Sequence, residues 1–268
     1  MDSSPQDHHV FKVPDNPEIR IWRYMDFTKF VSMMDLNSLY FSRSDLLGDT
    51  FEGSFPKPNV LLRPMIYKEI EDKYKEKNLH VVFPASGKKM TFIESHSYLH
   101  EWLRKWTFIS CWHINEYESA ALWKLYSSSH EAIAIQSRYD LLRRNLPSNI
   151  FIGEVLYIDY EKTVIPENNT MWPFVHKRTS FSHERELRAL FQDLPIENNS
   201  ILVGKINDEI GKHIDVNLDS LIEHIYVSPS SQNWFINVVK GVMKKYGLEK
   251  ELTRISHRCD SKKPPSVA

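Results

Sequence analysis

The sequence feature that most constrains the fold is the irregular order in which strand-like and helix-like segments follow one another. Short apolar segments such as residues 19–25, 107–113 and 151–160 indicate strands, whereas the patterns over 93–106 and 230–247 indicate helices. A doubly wound sheet would alternate the two kinds of element regularly, and this chain does not. We therefore predict an α+β fold, a single domain with a mixed, largely antiparallel sheet and surrounding helices.

The predicted domain covers residues 19–258 and lies between two polar ends. Residues 1–18 contain three prolines and few apolar side chains, which predicts a flexible lead-in. Residues 259–268 are polar, contain two further prolines and predict a disordered tail. A chain of 268 residues is long enough to bury a substantial core.

Composition argues against several functional classes. The chain has 34 basic and 35 acidic side chains, and this near-zero net charge argues against extensive nucleic-acid binding. No apolar run approaches the roughly 20 residues that span a bilayer, and the N-terminus lacks an apolar signal region. We expect a cytoplasmic protein that does not enter membranes. Cys111 and Cys259 fit neither a zinc motif nor a disulfide framework.

Several motifs occur in a characteristic order between residues 20 and 257. They are Trp22-Arg23-Tyr24, the loop GDTFEG (48–53), FISCW (108–112), ALWKLY (121–126), the stretch from Lys177 to Arg188 that contains E-x-E-x-R, and IYVSP (225–229). With these motifs the chain resembles a large, mostly bacterial family of uncharacterised domains. It departs from the family where Gly48-Asp49-Thr50 replaces the usual Asn-Asp-Pro. The resemblance implies a fold grouping, and its bacterial setting suggests a toxin-like or antiphage effector.

The order of Arg23, Ser110 and the pair Glu184 and Glu186 is similar, more remotely, to the ADP-ribosyltransferase-like fold. That resemblance implies NAD as a substrate. Cleavage of the nicotinamide–ribose bond develops an oxocarbenium ion, which a carboxylate can stabilise. Glu186 would be the catalytic carboxylate, Glu184 would position a nucleotide or macromolecular acceptor, Ser110 would hold the ribose or orient the catalytic glutamate, and Arg23 would clamp a phosphate.

Further side chains are candidates for substrate binding. They are Tyr24 and Trp112 for stacking, Trp123 and Tyr126 as a pocket wall, and Lys177 and Arg188 for positive charge. Each has a purely structural alternative. The helical spacing of the Trp123 and Tyr126 pair favours core packing, and the alternating charges of residues 184, 186 and 188 also fit an ion-pair row on a half-exposed strand face.

Two other functions remain open. Asp45, Asp49 and Glu52 lie in one loop and could hold a divalent cation for a metal-dependent nuclease, although Asp side chains that bond their own turn backbone explain them without a metal. A bound metal is otherwise not expected, since His96 and His100 share a helix face but lack a third ligand. The last alternative is a non-catalytic sensing or interaction domain that uses an aromatic groove. The oligomeric state stays open.

Overall fold

The structure is a computed structural model and describes residues 8–83, 87–126 and 130–254. The helices are α1 (Phe27–Leu36), α2 (Lys57–Ile66), α3 (Lys68–Glu76), α4 (Phe92–Arg104), α5 (Ala120–Tyr126), α6 (Tyr139–Asn145), α7 (Leu218–Leu221) and α8 (Asn233–Lys245). The strands are β1 (Arg20–Asp26), β2 (Ser38–Arg43), β3 (Val81–Val82), β4 (Lys89–Met90), β5 (Thr107–Ile114), β6 (Ala132–Arg138), β7 (Phe151–Glu154), β8 (Leu156–Ile158), β9 (His176–Arg178), β10 (Glu186–Gln192), β11 (Ile196–Glu197), β12 (Ser200–Ile201), β13 (Gly211–Asp215), β14 (His224–Val227) and β15 (Glu251–Arg254).

The pairing of these strands confirms the predicted α+β class with a mixed, largely antiparallel sheet. The pairs β1–β6, β5–β10, β7–β10, β2–β5 and β6–β14 are antiparallel. The pairs β14–β15 and β8–β9 are parallel. Helices accompany the strands throughout the described part of the chain. By its internal contacts the chain groups into two compact units.

The first unit comprises residues 1–15, 39–113 and 146–214. Its central strand is β5, which pairs on one side with β2 and on the other with β10, and β10 pairs in turn with β7. One core cluster of this unit contains Trp102 of α4 and Trp106, which follows α4, together with Ile109, Phe174 and Leu190. α4 begins with a capping box, in which the side chains of Thr91 and Glu94 each accept from the other's backbone N–H.

The second unit comprises residues 16–38, 114–145 and 215–268. Its strands follow the order β1-β6-β14-β15, and α5 packs against β1. Trp22, Tyr24, Leu122 and Trp123 belong to one of its core clusters. Gly247 lies two residues beyond the end of α8, and its φ of 72° is a left-handed conformation that glycine adopts without strain.

The structure corrects several predicted boundaries. The lead-in predicted over residues 1–18 is partly packed, because Val10 and Phe11 are only 2% and 6% exposed. The predicted strand over 151–160 is two strands, β7 and β8. The predicted disordered tail lies outside the described residues. Among those described, none of the helices has the length and apolar character needed to cross a bilayer.

Candidate functional site

Five charged side chains form a buried cluster in the first unit, which we call the ion network. Its members are Glu52, Lys177, Glu184, Glu186 and Arg188, and each is at most 8% exposed. β9 supplies Lys177, the start of β10 supplies Glu186 and Arg188, and the loop after β2 supplies Glu52. Buried charges are stable only when they are paired and hydrogen-bonded, so the partners of each group decide what the cluster does.

Arg188 is the centre of the ion network. Its Nη1 and Nη2 atoms donate to the two carboxylate oxygens of Glu52 at 2.5 and 2.7 Å. Its Nε and Nη2 atoms donate to Glu186 at 2.7 and 3.2 Å, and Nη1 also donates to the Phe174 carbonyl at 2.7 Å. All five N–H donors of the guanidinium therefore have an acceptor within the chain.

Lys177 completes the network on the side of Glu184. Its Nζ atom donates to Glu184 at 2.6 Å and to Glu186 at 3.1 Å. The ammonium group also lies 4.6 Å from the ring centroid of Phe181, which is within cation–π distance. Both carboxylates of the E-x-E motif thus share one lysine.

The network holds Glu186 and Lys177 in their charged forms. Burial alone would raise the pKa of Glu186, but Arg188 and Lys177 outweigh burial and hold that pKa well below its usual range. Burial would lower the pKa of Lys177, but the carboxylates of Glu186 and Glu184 together outweigh burial and raise that pKa. Glu186 is therefore an ionised, fully paired carboxylate at neutral pH.

Cys111 and His113 lie on the same side of the sheet as Glu186 and Arg188. The antiparallel register pairs Glu186 with His113 and Arg188 with Cys111, and side chains of directly opposed residues share a face. Burial and the nearby Glu186 carboxylate raise the pKa of the Cys111 thiol, which keeps it protonated and weakly nucleophilic. The Nδ1 atom of His113 lies 2.9 Å from the Glu184 carbonyl oxygen. Sequence reasoning assigned neither residue to the site.

Ser110 and Trp112 lie on the opposite side of the sheet from Glu186. The register pairs them with Ala189 and Leu187, which alternate with Glu186 along β10. Ser110 is 1% exposed and Trp112 is fully buried. The expectation that Ser110 and Glu186 converge on one ribose, with Trp112 available for stacking, is therefore wrong.

The charged residues at 184, 186 and 188 do not form a row on a half-exposed strand. Glu184 belongs to a 3₁₀ turn over Thr179–Glu184, and Arg185 has a φ of 43°, which turns the chain before β10 begins at Glu186. Residues 186–191 are all buried. The half-exposed ion-pair row is replaced by an internal network.

The acidic loop does not assemble a cation site. Asp45 binds Arg43 at 2.7 and 3.3 Å, whereas Asp49 accepts from Arg178 at 2.8 Å and from the backbone N–H of Phe51 at 3.0 Å. Glu52, the third acid of the loop, belongs to the ion network. No group of three or more His, Cys, Asp or Glu side chains in the described part of the chain could hold a metal ion. The backbone bond of Asp49 agrees with the alternative of a turn stabilised by its own Asp side chain.

The remaining aromatic candidates, Tyr24, Trp123 and Tyr126, belong to the second unit and are largely core residues. Tyr24 and Trp123 are 7% and 4% exposed, and their rings meet edge to face at 5.0 Å. Trp123 Nε1 donates to Glu118 at 2.7 Å, and half-buried Tyr126 packs against the same cluster. This confirms core packing for the Trp123 and Tyr126 pair. Arg23, on β1, lies opposite Ile135 of β6 and is half-buried.

The structure also shows an unusual helix that sequence reasoning missed. α2 turns its polar residues Asn59 and Arg63 inward, and both are 3% exposed. Arg63 Nε donates to Glu167 at 3.1 Å, and Asn59 donates to the same carboxylate at 3.0 Å. The other side of the helix exposes apolar side chains, which we call the α2 face: Val60, Leu61, Pro64 and Met65. Leu61 and Met65 are 67% and 70% exposed.

Comparison with models of known protein families gives no match, and no curated protein sequence is similar to the chain. The family resemblance proposed from the motifs therefore stays a prediction.

Proposed function

We propose that this chain is a non-catalytic interaction domain and that the α2 face is its contact surface. The single observation behind the proposal is the orientation of α2. An amphipathic helix ordinarily buries its apolar stripe and exposes its polar residues, and α2 does the reverse. Exposed contiguous apolar surface on a folded chain is typical of a protein interaction site.

The contacts of the carboxylates support the absence of catalysis. A carboxylate that stabilises an oxocarbenium ion must face its substrate, whereas Glu186 is 2% exposed and faces Arg188 and Lys177. Each of the other acids proposed for catalysis or metal binding also binds a Lys or Arg of the chain: Asp45, Asp49, Glu52 and Glu184. These pairs support a structural role for the acids in place of transferase or nuclease chemistry.

Site-specific photo-crosslinking in cells tests the contact surface. With p-benzoylphenylalanine at position 61 we expect a crosslinked adduct on denaturing gels. The matched control is the same residue at position 117, where Tyr117 is 79% exposed in the other unit. Adducts at neither position, or equally at both, would overturn the assignment of α2 as the contact surface.

Activity assays on the purified chain test the absence of catalysis. We expect no loss of NAD and no cleavage of nucleic acid, with or without Mg²⁺ or Mn²⁺. NAD consumption that disappears in Glu186→Gln, with an unchanged melting temperature, would establish the ADP-ribosyltransferase alternative and refute our proposal. Nuclease activity that is removed by chelator and by Asp49→Asn would establish the metal-dependent alternative in the same way.

A further inference from the structure

We infer that residues 55–67, which we call the α2 segment, are docked on α4 by an acid-sensitive contact and are released when His96 and His100 take up protons. The two histidines are four residues apart and lie on one side of α4. Neither the ion network nor the α2 face includes them. Docking of the α2 segment would be acid-sensitive whether or not its exposed side binds a partner.

The two ends of the α2 segment rest on the two histidines. Before α2, the ring of Phe55 meets the ring of His100 edge to face, with the ring centroids 4.5 Å apart. After α2, the ring of Tyr67 stacks on the ring of His96, with the centroids 4.8 Å apart. These contacts withdraw both imidazoles from water, and release of the segment would return them to it.

In sequence, Arg63 lies between these two ends and adds a buried positive charge beside α4. It is 3% exposed, and its Nη1 atom donates to Ser97 Oγ of α4 at 3.3 Å. Its guanidinium also lies 4.9 Å from the centroid of the Phe55 ring that His100 contacts. Burial and, after it, the charge of Arg63 lower the pKa of His96 and that of His100, the latter to about 4. Both rings are therefore neutral at neutral pH, and a proton on either would meet a like charge.

The acids around the pair are already engaged. Glu167 is the carboxylate whose charge acts on the pair, and both its oxygens accept from Arg63 Nε, at 3.3 and 3.1 Å. On α3, Glu71 accepts from the backbone N–H of Ile93, and β4, which also packs on α4, contains no acid. Nδ1 of His100 is buried without a hydrogen-bond partner among the described residues. A proton bound there would lack an acceptor while the segment is docked.

Release of the α2 segment would let His100 titrate at the ordinary histidine pKa of about 6.5 in place of about 4. The contact is fully present above about pH 6.5 and weakens as the pH falls towards 4, because the released state binds the proton more readily. Between pH 7.5 and 5.0 the equilibrium constant for release should rise roughly 30-fold. Carboxylic acids, whose ordinary pKa is about 4, stay mostly ionised over this interval.

Hydrogen–deuterium exchange of the full chain at pH 7.5 and 5.0 tests the inference, with rates corrected for the pH dependence of free amides. We expect the protection of residues 57–67 to fall roughly 30-fold at the lower pH. β5 should stay protected while the α2 segment exchanges. Exchange of both together would show that the whole unit opens at once, and it would overturn local release.

Matched histidine variants identify the groups responsible. His100→Gln should remove most of the fall in protection and His96→Gln part of it, and melting temperatures check that both variants fold. His183→Gln is the control, since His183 is exposed in the same unit and its change should leave the fall unaltered. A parent chain that shows no fall, or a fall that persists in both variants of the pair, would refute the inference.

Discussion

Arg188→Met is the perturbation that tests most directly whether the ion network is structural. The substitution removes all five donors of a guanidinium that is 1% exposed. Glu52 then loses both its charged hydrogen bonds in a buried position, and Glu186 keeps only Lys177. Removing one partner of a buried ion pair typically costs about 3–5 kcal/mol of unfolding free energy. We expect a loss of that size, measured by urea unfolding followed by the fluorescence of the seven tryptophans.

A double-mutant cycle separates two contributions to the lost stability: the unpaired charge of Glu52 and the lost packing of the Arg188 side chain. If most of the loss comes from a buried, unpaired Glu52, then Glu52→Gln should cost less in the Arg188→Met background than in the parent chain. We expect a coupling free energy of about 2 kcal/mol, within the range for residues of one network. Lys12→Met is the matched control, because its pair with Glu154 has a similar distance of 2.7 Å but its side chain is 56% exposed. It should cost less than about 1 kcal/mol.

The reasoning would be refuted by a small effect at Arg188. A loss of less than about 1 kcal/mol would place the network in the range of exposed ion pairs. Absence of coupling to Glu52→Gln would show that the bidentate pair does not form. Either result would also remove the argument that these acids serve only as structural ion-pair partners. It would then favour the transferase alternative again.

Three further predictions concern single positions. Burial lowers the pKa of His100 to about 4. As the pH falls from about 6.5 to 4, His100 gains a proton in the unfolded chain but largely not in the folded one, so we expect the free energy of unfolding to fall by about 3 kcal/mol. This loss should be absent in His100→Gln. Gly53→Ala would place Cβ 2.3 Å from Phe174 Cε1 at a φ of 68° and should cost roughly 2 kcal/mol or more in urea unfolding, whereas Gly48→Ala, with open space around it, should not. Thr91→Ala removes the cap of α4 and should lower stability by about 1 kcal/mol in the same assay.

Local patterns predicted the elements well, because the spacing of apolar side chains reflects which face of an element is buried. β5 and α8 lie where the apolar patterns over 107–113 and 230–247 predicted them. The error at Glu184 has a local cause: the alternation of charges continues through it, but the left-handed conformation of Arg185 separates it from β10. Charged residues at every second position therefore do not show where a strand begins when a turn with the same spacing precedes it.

The ion network could not be predicted because its central pair joins residues that are 136 positions apart. E-x-E-x-R predicts a charged strand face equally well whether that face meets water or a distant carboxylate. α2 was missed for another reason. Prolines are typical of loops, yet Pro58 lies in the first turn of α2, where a proline loses no intrahelical hydrogen bond. The spacing of polar Asn59 and Arg63, four residues apart, was the available signal of a helix. It could not show that this polar side is buried, because that depends on Glu167, which both residues bind.

The orientation of α2 sets two costs against each other. Turning the α2 face inward would pull Arg63 away from Glu167, whose side chain is only 14% exposed, and would leave a largely buried carboxylate without its cation. That change costs about 3–5 kcal/mol. Keeping Arg63 inside leaves about 400 Å² of apolar surface in water, which costs roughly 10 kcal/mol at 25 cal/mol/Å². The ion pair alone therefore does not outweigh the exposed surface, and a partner that covers the α2 face would remove the larger of the two costs.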